Sequence, residues 1–306
     1  MSIPATMKVM HLLPGGGIAP GEAPVPSIAA DEALVRVRAC GVCTSDMGVY
    51  KTGFAQPELL GHEVVGVIEA VGPEVSGFKP GDRVTGTMMQ GYAEYVRIKV
   101  CDLLHIPDNV SDREAIVEPV CCMFNAIHRS GIRAGDRAVI VGAGYMGLLL
   151  AAILKALGVG PLHSIDPQSA PRAHAEEIGA IPLAPGDPVE LSPFVFEATG
   201  AQSGLTLASH CVESYGTLCI VGYHPCVREI DMAEWASKAL TVITAFEYNH
   251  ANQLVAMQQA LDLVAAGKLP LGRLMTHEFT FDQTDLAFRT HLNRPEGFIK
   301  GFVRIS

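Results

Sequence analysis

One stretch limits the architecture of this chain more than any other: Arg137-Ala138-Val139-Ile140-Val141-Gly142-Ala143-Gly144-Tyr145-Met146-Gly147-Leu148-Leu149-Leu150. A β-branched apolar run enters a glycine turn and leaves as an apolar helical run, which is the context that gives a GxGxxG pattern weight. Gly142 permits the tight turn, Gly144 lets the backbone approach a pyrophosphate, and Gly147 allows close strand–helix packing. The helix start at Tyr145 and Met146 then receives the phosphate charge. Such a unit calls for a parallel sheet and for an acidic residue about twenty positions further on, to accept the ribose hydroxyls. Asp166, in His163-Ser164-Ile165-Asp166, meets that spacing. A carboxylate there repels a 2′-phosphate, so NAD is expected over NADP, with Arg172 as the nearby residue type that could instead accommodate the phosphate. Thr199-Gly200 and Ile220-Val221-Gly222 read as ends of further parallel strands, where dinucleotides lie in open α/β sheets. Thr199, Val221 and Gly222 are therefore expected beside the cofactor. The alternative is a structural glycine turn in some other α/β fold.

At 306 residues the chain is long enough for two domains, since single cores rarely grow beyond roughly 250 residues. The part that precedes the glycine turn has a different texture. Pro14-Gly15-Gly16-Gly17, Pro20-Gly21 and Pro24-Val25-Pro26 are turn clusters, and Ala33-Leu34-Val35-Arg36-Val37-Arg38 alternates as a half-buried strand does. Residues 64–71 read as a buried strand, Gly81-Asp82-Arg83-Val84 begins another, and residues 91–97 alternate again. Strands that follow one another without helical periods favour a barrel-like or sandwich core.

Composition excludes several roles. A net charge of −10 argues against a nucleic-acid surface. The most apolar window, 138–157, is broken by Gly142, Gly144, Gly147 and Lys155, so no membrane span is expected. Residues 1–9 carry one Lys and no long apolar core ahead of a cleavage site. The eight cysteines are scattered and read as reduced thiols. A cytoplasmic protein is expected.

Two short segments carry metal-binding chemistry: Gly41-Val42-Cys43-Thr44-Ser45-Asp46 and Gly61-His62-Glu63-Val64-Val65-Gly66. A thiol, an imidazole and carboxylates on glycine-punctuated loops suit zinc, whose catalytic sites take three protein ligands and leave one position open. A small buried Cys and a core His that fall close in sequence would give the same local pattern.

Taken with Gly81-Asp82-Arg83-Val84, these blocks occur in the order and at the separations that resemble the zinc-dependent medium-chain dehydrogenase/reductase family, and the similarity runs over nearly the whole chain. The resemblance implies an α/β protein with a GroES-like β-rich catalytic domain (1–121), a doubly wound Rossmann nucleotide-binding domain (122–246) and a return segment (247–306) that completes the first. By position, Cys43 and His62 match the family's first two zinc ligands. Ser45 matches the hydroxyl that passes the substrate proton outward, Asp46 the carboxylate that orients the ligand His, and Glu63 a carboxylate behind the metal that can exchange onto it. Cys40 is read as a packed small residue. Glu118-Pro119 matches the third ligand in its polyol-dehydrogenase form, with Cys121 a weaker competitor. A Cys, His and Glu set leaves zinc near zero net charge, hence a stronger Lewis acid. Glu118 would also suit an exposed helix start. Lys300 matches a basic position that pairs with the cofactor pyrophosphate, the alternative being a solvated Lys on an edge strand.

Three departures follow. Thr85-Gly86-Thr87-Met88-Met89-Gln90 takes the place of a four-cysteine lobe, so one catalytic zinc and no structural zinc is expected. Gly48 stands where the proton relay ends in a His, which leaves the route beyond Ser45 open. The Pro-rich segment after Gly179 points to a trimmed nucleotide-binding sheet. His210, His224, His250, His277 and His291 have no ligand spacing and receive no role. The resulting expectation is a zinc- and NAD-dependent oxidoreductase that interconverts a secondary alcohol or polyol and its carbonyl, forming a homodimer or homotetramer. Its competitors are a zinc-independent carbonyl or enoyl reductase of the same fold and a non-catalytic NAD-binding protein.

Overall fold

The structure, a computed structural model, describes residues 3–56 and 58–306. The first two residues of the N-terminal stretch read above lie outside them. The chain divides into two units: one holds everything up to Glu118 with 249–267 and 271–306, the other 119–248 with 268–270.

The first unit contains β1 (Thr6–Leu12), β2 (Ile18–Pro24), β3 (Glu32–Gly41), α1 (Met47–Thr52), β4 (Glu58–Leu59), β5 (Glu63–Val71), β6 (Arg83–Gly86), β7 (Tyr95–Lys99) and β8 (Leu103–His105). Its axis is β3. Val35 and Val37 of that strand are fully buried, while Arg36 and Arg38 between and beyond them reach outward to Glu69 and Asp112. Along its length β3 pairs antiparallel with β5; on the other side its first half pairs with β7. Register shifts at Leu34/Val35 and Val37/Ala39 bend it. A strand that changes partners at bulges is how a sheet turns a corner toward closure.

The second unit carries α2 (Val120–Ser130), β9 (Ala138–Val141), α3 (Tyr145–Ala156), β10 (Leu162–Ile165), α4 (Ser169–Ile178), β11 (Ile181–Leu183), β12 (Ser192–Glu197), α5 (Gln202–Cys211), β13 (Val212–Ile220), α6 (Met232–Ser237) and β14 (Thr241–Thr244). Its six strands are all parallel in the order β11-β10-β9-β12-β13-β14. Counted within the unit this is 3-2-1-4-5-6, the doubly wound order, with its reversal between β9 and β12. β9 is buried at every residue, as a strand covered on both faces must be. The trimming expected after Gly179 removes no strand: β11 survives as three residues beside β10, and the shortening falls on the connections.

The chain then supplies α7 (His250–Ala265), α8 (Leu271–Leu274), β15 (His277–Thr280), α9 (Thr284–Asn293) and β16 (Gly301–Arg304). β16 lies between β15 and the last residues of β3, an interior position and not an edge. It begins at Gly301, later than the run from Gly297 suggests, because the Ile299 N–H donates to Thr276 Oγ1 at 2.9 Å instead of to a neighbouring strand. Among the described residues no helix is long and apolar enough to cross a membrane.

α9 brings an aromatic anchor into the first unit. Phe288 is fully buried, its ring 4.9 Å from that of Tyr50 and 5.4 Å from that of Tyr92. Removing a buried ring costs its transfer free energy and leaves a cavity. Phe288→Ala is expected to lower the unfolding free energy by about 3–5 kcal/mol, measured by urea titration; a loss under about 1 kcal/mol would show that α9 does not anchor this core.

Candidate functional site

Strand register explains why Cys43 and His62 meet. Gly41 ends β3, Glu63 begins β5, and the two are register partners. The loop leaving β3 and the loop entering β5 therefore start side by side. Cys43 turns the first loop into a short 3-10 turn at 44–46, with extended backbone at φ −99°. Cys43, His62 and Glu63 present one ligand atom each, all within 4.8 Å of one another.

Beneath this cluster lies a buried ion pair. Lys300 Nζ donates to Glu63 Oε1 at 2.6 Å, with side chains 4% and 0% exposed. Burial pulls the lysine's pKa down; Glu63, then Cys43 and Glu118, outweigh it and raise it above the ordinary value. The other oxygen, Glu63 Oε2, is buried without a hydrogen-bond partner. It lies so close over Gly41 that a Cβ there would come within 1.8 Å of it, so only glycine fits. Tyr92, itself fully buried, fixes the same peptide by donating its hydroxyl to the Gly41 carbonyl at 2.8 Å. Lys300, expected to pair with the cofactor pyrophosphate, stands just before β16 with its ammonium bonded to Glu63.

His62 Nδ1 lies 3.6 Å from Asp46 Oδ1, a charge contact longer than a hydrogen bond. Burial favours the neutral ring, but the hydrogen bond and charge of Cys43, with Glu118 and Asp46, outweigh it and push the His62 pKa up to about 10. Burial raises Asp46 above the ordinary carboxylate range, His62 opposing, and its Oδ2 has no hydrogen-bond partner. Glu118 is pushed up to about 7, chiefly by burial, with His62 pulling the other way and Glu63 adding to the rise. Glu118 thus feels His62 yet stands outside the 4.8 Å set, in which Glu63 is the carboxylate. Ser45 Oγ donates to Cys43 Sγ at 3.2 Å. Thr44 Oγ1 is 2.9 Å from Nε2 of His291, a ring that burial above all, then Lys300 and Arg294, hold neutral with a pKa of about 3. His291, to which spacing gives no role, anchors the loop that carries Cys43. Cys40 is a packed thiol, fully buried, with its pKa raised first by burial.

Sulfur, nitrogen and oxygen donors with an orphaned buried carboxylate oxygen fit zinc. Three acidic side chains, Asp46, Glu63 and Glu118, face one Lys, and a cation would answer that surplus.

In the second unit the glycine loop has the form the spacing anticipates. Gly142 sits at φ +101°, and a Cβ on Gly147 would come within 1.9 Å of the Gly142 carbonyl oxygen. Around Gly144, the residue before α3, a Cβ would meet nothing within 4 Å. Its bareness has no cause inside the protein and suits a ligand lying against the backbone. Tyr145 is buried in the first turn of α3, with Met146 half-buried beside it. Asp166 accepts from the Ala143 N–H at 2.8 Å through Oδ2 and from the Gln168 N–H at 2.9 Å through Oδ1. Arg172 Nη1 donates to the carbonyls of Asp166 and Pro167. Thr199 packs on Gly142 and bonds to Glu197, and the Val221 and Gly222 N–H groups donate to the Glu197 carbonyl at 2.7 and 2.8 Å.

The alcohol dehydrogenase GroES-like domain family matches residues 29–108. A zinc-type alcohol dehydrogenase-like protein of Escherichia coli is 27% identical, over 100% of this chain and 98% of its own length. Sorbitol dehydrogenase of Bacillus subtilis is 27% identical over 92% of each chain. The solved 2R,3R-butanediol dehydrogenase of Bacillus subtilis superposes with a TM-score of 0.87 at 24% identity, over 98% of this chain and 100% of that one, and so shares the fold. The chain is thus similar over its whole length to zinc-type alcohol and polyol dehydrogenases. Residues 29–108 of the first unit carry the GroES-like match, and the second unit has the doubly wound strand order of a Rossmann sheet.

The Glu63–Lys300 pair yields a test. Removing one partner of a buried ion pair strands the other, at about 3–5 kcal/mol. Lys300→Met is expected to destabilise by that amount, and adding Glu63→Gln to recover most of it, both read by urea titration. A double variant as unstable as the single would mean that lost packing, not stranded charge, sets the cost.

Proposed function

We propose that this chain is a dehydrogenase that transfers hydride between a secondary alcohol or polyol and NAD with one catalytic zinc ion. The observation that carries the proposal is the convergence of Cys43, His62 and Glu63 donor atoms on loops set by strand register. Cys43 and His62 would hold the ion, with a carboxylate as the third donor. Family position gives that place to Glu118, and proximity makes Glu63 the carboxylate able to exchange onto it. Bound zinc supplies Lewis-acid polarisation of the substrate oxygen, and bound NAD supplies the hydride acceptor.

The chain's own residues do the rest. Ser45 is exposed, and its hydroxyl, now on Cys43 Sγ, is the group to take the substrate's hydroxyl proton and release it to water. Gly48 leaves no imidazole to extend that path. Lys300 holds Glu63 from behind, so that one carboxylate oxygen is anchored and the other stays available. The Asp166 carboxylate, in the residue after β10, disfavours a 2′-phosphate, which supports NAD over NADP. The similarity to a sorbitol dehydrogenase supports a small alcohol or polyol as the substrate.

Purified protein is expected to contain about one zinc per chain, and to reduce NAD with at least one member of a secondary-alcohol and polyol panel, followed by NADH absorbance. Chelation should abolish turnover, and added zinc should restore it. Undiminished turnover after metal removal would sink the zinc mechanism in favour of a metal-free reductase. Zinc content with no turnover across the panel would favour the non-catalytic reading.

Zinc uptake should also depend on pH with a definite sign. With its pKa near 10, His62 carries a proton throughout the neutral range in metal-free protein, and ligation must expel it. Zinc affinity is therefore expected to rise with pH, by about tenfold per unit for each proton expelled, between pH 6 and about 9 in a competition titration. A flat profile would show that the donors reach the metal without losing a proton.

A further inference from the structure

A hydrogen-bonded polar cluster built on one buried carboxylate lies at the C-terminal ends of β12 and β13. Glu197, the last residue of β12, is fully buried. Its Oε1 accepts from the Thr199 N–H at 2.7 Å, the Gly200 N–H at 3.0 Å and the Thr199 hydroxyl. Its Oε2 lies 2.8 Å from His224 Nε2. On the far side of that ring, Arg228 Nε donates to Nδ1 at 2.8 Å. The same guanidinium donates through Nη2 to the Gly200 carbonyl at 2.6 Å and through Nη1 to Cys226 Sγ at 2.8 Å.

Hydrogen-bond chemistry fixes the state of each link. A guanidinium only donates, so His224 Nδ1 accepts and the ring's proton sits on Nε2. That proton points at a carboxylate, which accepts on both oxygens and is therefore ionised. The chain runs in one direction, Arg228 to His224 to Glu197 to the Thr199-Gly200 turn. Both ends close on one residue: the Gly200 N–H donates to Glu197 and its carbonyl accepts from Arg228. The loop after β13 is pinned to the same place. A Cβ on Gly222 would come within 2.3 Å of Gly200 N and 2.7 Å of Glu197 Oε2, and Gln202 and Glu229 exchange hydrogen bonds at 2.8 and 2.9 Å across the two loops.

We propose that His224, Arg228 and Glu197 are positioning residues for the nicotinamide half of the dinucleotide site. The inference rests on the dinucleotide reading given above. A doubly wound sheet binds a dinucleotide across two mononucleotide halves. The glycine loop and Asp166 belong to the β9–β10–β11 half, which leaves the ends of β12 and β13 to the other mononucleotide. There the backbone has no glycine fingerprint to shape it. The buried carboxylate gathers the turn's N–H groups, and the imidazole and guanidinium hold that carboxylate in place. None of the three need touch the cofactor; they act through Thr199, Gly200 and Gly222.

Two ligands separate a positioning role from a structural one: NADH, read by its fluorescence, and 5′-AMP, which fills the adenosine half alone. His224→Phe and Arg228→Met are expected to weaken NADH binding by about tenfold or more, the worth of a charge-assisted hydrogen bond, with AMP affinity unchanged. His224→Gln, which can accept from Arg228 and donate to Glu197, should recover most of the loss. If His224→Phe does not fold, Arg228→Lys carries the test: it keeps the charge, loses the fork, and should show the same NADH-selective weakening. Unchanged NADH affinity in the folded variants overturns the proposal, as does AMP weakening in step with NADH. Wild-type protein that binds neither ligand overturns the dinucleotide reading itself, a result that no variant is needed to see.

Discussion

The Glu63–Lys300 ion pair is the interaction on which the arrangement of the first unit turns. Two opposite charges with almost no solvent access are tolerable only in contact, so β5 and the segment entering β16 are held at one separation. That contact sets the Glu63 carboxylate over Gly41, where a Cβ would meet Oε2, and keeps the carboxylate beside Cys43 and His62. The pair also decides the sign of the local field. One ammonium balances one carboxylate, and what remains, Asp46 and Glu118 about a thiol and an imidazole, is negative. His62 responds by holding its proton against the pull of burial.

Sheet geometry explains why residues so far apart in sequence can make such a site. β3 pairs with β5 at one edge and with β7, then β16, at the other. The end of β3 is thus the common neighbour of the loop bearing His62 and of the chain's last strand. The bulges in β3 allow that switch of partner; a straight strand would keep one neighbour along its length. The C-terminal segment is part of this unit because it carries the counter-charge and a strand of the main sheet, and α9 adds Phe288 and His291 to the same side.

What could be read in the sequence follows the range over which each feature acts. The strand–glycine–helix run around Gly142 is local, and its steric demands, the positive φ of Gly142 and the bare Gly147, are met within a few residues. Cys43 and His62 were legible because loops flanking paired strands keep short, punctuated sequences. The contact of Lys300 with Glu63 was not legible, since it joins residues 237 positions apart that only the folded sheet brings together. The place of Glu63 within the donor set, with Glu118 beyond it, depends on side-chain direction at a strand start, which spacing does not give. Glu197 left one faint sign, a lone carboxylate closing the apolar run Phe194-Val195-Phe196 just before Thr199-Gly200. His224 and Arg228 left none, because their partners come from another loop.

The two units use buried carboxylates in opposite ways, and the contrast separates scaffold from site. Glu197 is met on both oxygens by hydrogen-bond donors of its own unit. Its charge goes into fixing backbone. Glu63 and Asp46 each keep one buried oxygen without a donor. An unmet buried acceptor costs on the order of 1–3 kcal/mol, and more when charged, so a fold retains two of them side by side only where something else completes them. A metal ion beside Cys43 and His62 would complete them, since it brings positive charge to a group of acids. Where the acid is satisfied it is architecture; where it is left short, it marks the place prepared for a cation.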